Sequence, residues 1–170
     1  MRTRIVTGRS RRVARLGTLA AMLAVLAVPV IGASSASAHP HQGLDFTVSA
    51  TCSATNSQSG SDAEWAWYQG GISGTLLGHG AVTCPDILGS GTSSATATGT
   101  QPSGADTLLF AVDAVIGGCG DFAIKVISFT PGSPVSTTLS VTGTSPCSYA
   151  PGQGKDTVTV DGSLQSMARH

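Results

Sequence analysis

The nine residues Leu-Asp-Phe-Thr-Val-Ser-Ala-Thr-Cys, positions 44–52, alternate between apolar and polar side chains without a break. Successive side chains of a β-strand point to opposite faces, so this period of two predicts a strand that is buried on one side only. Leu44, Phe46, Val48 and Ala50 share the buried face with Cys52. The same phase therefore predicts that the Cys52 side chain enters the core.

Comparable segments fill the rest of the chain. They lie at residues 64–69 and 72–78 (a predicted hairpin around Gly70-Gly71), 81–84, 92–100, 107–116, 122–129, 135–142 and 157–164. Residues 107–116 are almost wholly apolar, which predicts a central strand, and Gly117-Gly118 predicts a tight turn after it. Residues 53–61 and 143–156 are expected to be polar loops. About eight short strands without a capped amphipathic helix predict an all-β fold, a small immunoglobulin-like or related antiparallel β-sandwich.

The four cysteines are predicted to form two disulfides, because their number is even and residues 1–38 have the pattern of a secretory signal peptide. They are Cys52, Cys84, Cys119 and Cys147. Zinc binding is disfavoured by the absence of any C-x₂-C pair. Four cysteines allow three pairings. Val82 and Cys84 share an inward phase, as Cys52 does, which favours Cys52–Cys84 and leaves Cys119–Cys147 to link two loops.

Residues 1–38 have the three parts of a secretory signal peptide. Six arginines precede an apolar run from Leu16 to Ile31, and small residues ending in Ala36-Ser37-Ala38 follow it. A transmembrane anchor is the alternative, but a spanning helix needs about 20 apolar residues. We therefore expect cleavage after Ala38, secretion of residues 39–170 as one domain, and no stable membrane anchor after cleavage.

Cleavage would change the charge of the protein. Six of the nine basic residues lie before residue 39, so three basic and nine acidic side chains remain, a formal charge of −6. An acidic surface repels a phosphate backbone, which argues against nucleic-acid binding. The expected partner is instead an unidentified extracellular ligand or protein.

Two groups of residues are candidates for a binding site. His39 would become the N-terminal residue of the processed chain, and its amine and imidazole could hold copper together with the imidazole of His79. Trp65 and Trp67 share one face of a predicted strand, and Tyr68 points to the other. These aromatic side chains could form a ligand platform or could equally fill the core.

The sequence lacks the motifs of the common hydrolases. Neither G-x-S-x-G nor H-E-x-x-H occurs, and Glu64 is the only glutamate. The expectation is therefore a non-catalytic secreted or envelope-associated protein without a cofactor. Two alternatives stay open, a copper protein that uses His39 and an inhibitor of an extracellular hydrolase that acts through loop 53–61 or loop 145–154.

Overall fold

A computed structural model describes residues 2–10, 43–147 and 154–168, and for residues 2–10 it describes the backbone alone. The described chain forms antiparallel strands in two sheets, which confirms the predicted all-β sandwich. Within these ranges, no helix is long and apolar enough to cross a membrane. The strands are β1 (Arg2–Ser10), β2 (Leu44–Ala54), β3 (Asp62–Gln69), β4 (Thr75–Thr83), β5 (Gly91–Thr100), β6 (Thr107–Ile116), β7 (Cys119–Ser128), β8 (Ser136–Ser145) and β9 (Asp156–Ala168).

The two sheets have the strand orders β1-β7-β6-β3-β4 and β5-β2-β9-β8. Strands β2 to β9 correspond to the segments expected from the sequence, with residues 72–78 and 81–84 joined in the single strand β4. Strand β1 is additional and pairs with β7 from Arg2↔Ser128 to Ser10↔Gly120. It falls within the predicted signal peptide, most of which, including the expected cleavage site at Ala38, lies outside the described residues. The described fold is therefore that of the unprocessed chain.

The core lies between the sheets and is built from the inward positions of the alternating strands. Val48, Ala50 and Cys52 of β2 are fully buried, as the phase of residues 44–52 predicts. Across the core, β2 packs against β3 and β4, and the apolar strand β6 packs closely against β8 and β9 of the other sheet. Gly162 of β9 allows this close approach, because a Cβ atom at that position would collide with Val112 of β6.

Both disulfides have the predicted partners, and each connects the two sheets. Cys52 of β2 is bonded to Cys84, the residue after β4, with a Cα–Cα distance of 6.2 Å. Cys119 is bonded to Cys147, which follows β8, at 5.3 Å. Cys119 is the first residue of β7 and does not lie in a loop, because the turn before it needs only Gly117 and Gly118, both with positive φ.

The hairpin predicted around Gly70-Gly71 is present as β3 and β4, but its second strand begins at Thr75 and not at Ile72. Residues 72–78 and 81–84 were expected as separate strands, whereas β4 is continuous from Thr75 to Thr83. The preceding loop is longer because the Gly74 N–H donates to the Gly71 carbonyl. The carboxylate of Asp106 also accepts hydrogen bonds from the N–H groups of Gly70 and Gly71.

The two predicted polar loops are shorter than expected. Strand β2 continues to Ala54, and β8 continues to Ser145, because both strands keep their pairing with β9 over these residues. Residues 148–153 lie outside the described part of the chain. They make up most of loop 145–154, one of the two loops through which an inhibitor was expected to act.

Candidate functional site

The three aromatic residues of β3 occupy different environments, and Tyr68, on the opposite face of the sheet from the two tryptophans, is partly buried. Trp67 is 1% exposed and packs between Phe46 and Phe129, with ring centroids 5.4 and 6.0 Å away. Trp65 is half-buried against Phe46 and lies over Gly80 of the edge strand β4. The structure therefore puts Trp67 in the core and leaves only Trp65 with a partly accessible ring on that side of the sheet.

The residues considered for copper are not brought together by the described part of the structure. His39 lies outside it, and His79 is an exposed residue of β4. Among the residues that the structure describes, no group of three or more histidine, cysteine or carboxylate side chains has the geometry of a metal site.

Loop 53–61 is anchored over part of its length. Gln58 is buried and pairs with Ile87 through two backbone hydrogen bonds, and its side-chain amide donates to the Pro85 carbonyl. Ser61 is fully buried, donates its hydroxyl to the Val115 carbonyl and accepts from the Val115 N–H. Exposed residues remain between these two anchors. Gln58 and Ser61 thus hold the loop against the rest of the domain, with its exposed residues on either side of Gln58.

Three carboxyl groups lie close together on the outer face of the sheet that contains β3 and β6. Asp62 and Asp113 are directly opposite each other on these strands, and Glu64 is two residues from Asp62 on the same face. Burial, and to a smaller extent the charges of Glu64 and Asp113, together raise the pKa of Asp62 to about 7. Burial is also the largest cause of the raised pKa values of Glu64 and Asp113. In the sequence, the spacing Asp62-Ala63-Glu64 puts two carboxyl groups on one face of a strand. Asp113 comes close to them only through the pairing of β3 with β6.

The raised pKa of Asp62 predicts that the protein is more stable at pH 5 than at pH 8. Between about pH 4 and pH 7 the folded state binds a proton that the unfolded state has lost, so stability falls as the pH rises. Asp62→Asn should stabilise the fold at pH 8 by about 2 kcal/mol, a value reduced for the partial solvation of this carboxyl. Urea unfolding at both pH values measures the effect, with Asp86→Asn, in an exposed loop, as the control. A variant that is less stable than the wild type at pH 8 would contradict it.

The outer face of the other sheet is covered by serine and threonine side chains on all four strands. We call this surface the hydroxyl face. Its members are Thr47, Ser49, Thr51 and Ser53 of β2; Thr92, Ser94, Thr96 and Thr98 of β5; Ser136, Thr138, Ser140 and Thr142 of β8; and Thr159 and Ser163 of β9.

The hydroxyl face is regular because the strands are paired in continuous register. Thr96, Ser49, Ser163 and Thr138, for example, form one row that crosses β5, β2, β9 and β8. Rows are about 6.7 Å apart along the strands, and neighbouring strands are about 4.8 Å apart. Some hydroxyls bond to each other across strands, including Thr142 and Thr159 at 2.8 Å. Asp161 and Gln165 of β9 are the largest interruptions.

No protein-family model matches the chain, and no curated protein or solved structure matches it either. The function is therefore argued from the geometry of the sites and the chemistry of their residues. Two surfaces stand out in the described ranges, the carboxyl cluster on one sheet and the hydroxyl face on the other.

Proposed function

We propose that the chain is exported, loses residues 1–38, and acts outside the cell as a non-catalytic binding or envelope-associated domain. The order of basic, apolar and small residues in 1–38 supports export. Two disulfides that join the sheets also support it, because such bonds persist in oxidising compartments. Both disulfides join the two sheets, as the bridge of antibody domains does, which supports the small immunoglobulin-like or related sandwich expected from the sequence.

The hydroxyl face is the observation that carries the binding proposal. Each hydroxyl can donate one hydrogen bond and accept two, so the face can match another hydroxyl-rich surface without requiring a charge. A single bond of this kind adds little net free energy, about 0.5–1.5 kcal/mol, so binding needs many of them together. The paired strands hold the side chains in a fixed array, which lowers the entropy lost on binding.

A polysaccharide is the ligand class that fits this surface. Its sugar hydroxyls complement the serine and threonine hydroxyls, and an extended polymer can contact several rows at once. The carboxyl cluster is a poorer candidate for an extended polymer, because it consists of three side chains on two neighbouring strands, whereas the hydroxyl face spans four strands. We therefore assign the contact surface to the sheet formed by β5, β2, β9 and β8.

A sedimentation assay with insoluble polysaccharides tests the proposal. Secreted protein is incubated with cellulose, chitin and purified bacterial cell wall, and the bound fraction is measured. The double variant Ser49→Arg, Ser163→Arg places two bulky charges at the centre of the hydroxyl face and should lower binding at least about tenfold, as expected when two or more hydrogen bonds are lost.

The matched control is the double variant Ala81→Arg, Thr83→Arg, which adds the same two charges to exposed positions of β4 on the other sheet. Its binding should equal that of the wild type. An equal loss of polysaccharide binding in both double variants would assign the effect to the added charge alone. If neither the wild type nor the control bound any of the polysaccharides, the proposed ligand class would be contradicted.

A further inference from the structure

The edge of the five-stranded sheet changes when the N-terminal segment is removed. In the unprocessed chain, β7 is hydrogen-bonded to β6 on one side and to β1 on the other. Cleavage after Ala38, which is part of the proposed function, would remove β1. Strand β7 would then become the edge strand, with one row of its backbone N–H and C=O groups open to a new partner.

Strand β7 carries only one of the features that normally protect an edge, charged side chains, at Asp121 and Lys125. It is ten residues long, contains no proline, and pairs with β6 without a bulge. Phe122, Ile124 and Val126 lie on its outer face and are only half-buried even with β1 in place. The pairing with β1 shows that the backbone of this edge accepts an antiparallel strand over nine residue pairs.

We propose that a second copy of the processed chain pairs with this edge, so that two β7 strands lie antiparallel about a two-fold axis at Ala123. In this register each Asp121 lies opposite Lys125 of the other copy, which gives two oppositely charged pairs. Phe122 lies opposite Ile124, an aromatic and β-branched pair of the kind that stabilises neighbouring strands. Centring the axis on Phe122 or Ile124 pairs neither Asp121 with Lys125, so charge complementarity selects Ala123. The dimer then contains one continuous sheet of eight strands.

The test uses the full precursor expressed in an exporting host, and the secreted product is first weighed by mass spectrometry to identify its N-terminus. Analytical ultracentrifugation over a concentration series then measures the dissociation constant. The processed wild type should be dimeric. Asp121→Lys or Lys125→Asp alone places like charges opposite each other twice and should weaken the dimer about tenfold or more.

Two further samples test the register itself. An equimolar mixture of the two single variants should form heterodimers, and the double variant Asp121→Lys, Lys125→Asp should recover the wild-type affinity. Asp86→Lys, at an exposed site away from β7, should leave the dimer unchanged. Melting temperatures of all variants establish that they are folded.

The outcomes separate this proposal from the proposed function. A processed protein that stays monomeric, or a double variant as weak as the single ones, overturns the dimer and leaves export intact. A monomer that binds a synthetic peptide of residues 2–10 shows that the edge is open but does not pair with a second β7, and also overturns the dimer. A secreted product that still carries residues 2–10 overturns both the processing and the open edge.

Discussion

Replacing Trp67 with alanine is expected to lower the free energy of unfolding by about 3–5 kcal/mol. Trp67 is 1% exposed and contacts Phe46 and Phe129, so the truncated side chain leaves a large cavity at the centre of the sandwich. Few domains of this size are stable by more than about 5–15 kcal/mol, so the loss is a major part of the total. Urea unfolding followed by tryptophan fluorescence, with Trp65 as the remaining reporter, measures it.

Two variants make this result specific. Trp65→Ala should cost clearly less, because that ring is only partly buried. Trp67→Phe should also cost less than Trp67→Ala, since phenylalanine fills much of the space and removes an indole N–H that has no hydrogen-bond partner among the described residues. If Trp67→Ala left stability unchanged while a ligand was lost, Trp67 would be a binding residue and its place in the core would be wrong.

Removing the Cys52–Cys84 disulfide by a double alanine substitution is expected to cost about 3–4 kcal/mol. Most of the loss comes from the larger entropy of the unfolded chain once the loop of 32 residues is no longer closed. Cys52 and Cys84 are also almost fully buried, at 0% and 2% exposure, so the smaller side chains leave a void between the sheets. Thermal unfolding and urea titration measure the change.

The second disulfide is the internal control. Cys119–Cys147 closes a loop of similar length, 28 residues, but Cys147 is partly exposed. The Cys119→Ala, Cys147→Ala variant should therefore lose about the same entropic contribution and little packing, and should be the more stable of the two double variants. The opposite order would show that the buried bridge adds nothing beyond loop closure.

The fold could be predicted from local patterns because one face of nearly every strand is buried. Alternation in residues 44–52 identified β2 and its inward cysteine, and the apolar run 107–116 identified the central strand β6 with its observed bounds. The phase of Cys52 and Cys84 was enough to choose the disulfide pairing. Apart from the additional strand β1 and the division of β4 into two segments, the errors lie at strand ends, such as the start of β4, where a side chain distant in sequence, Asp106, stabilises the turn.

The candidate surfaces were harder to predict because they depend on which strands are neighbours. Asp62 and Asp113 lie far apart in the sequence and meet only through the β3–β6 register. The hydroxyl face likewise needs the order β5-β2-β9-β8, although each strand separately showed polar residues at every second position. Periodicity also could not distinguish Trp65 from Trp67, since both share a phase and both lie opposite β4. They differ in their neighbours, because Trp67 packs between Phe46 and Phe129 whereas Trp65 packs against Phe46.

The central claim, an exported and processed sandwich whose sheets are joined by two disulfides, is tested most directly by mass spectrometry of the secreted protein under non-reducing conditions. The account predicts a chain that begins at His39, has no free thiol, and yields peptides that join Cys52 to Cys84 and Cys119 to Cys147. A product that retains residues 1–38, or one with exchanged cysteine partners, would contradict it.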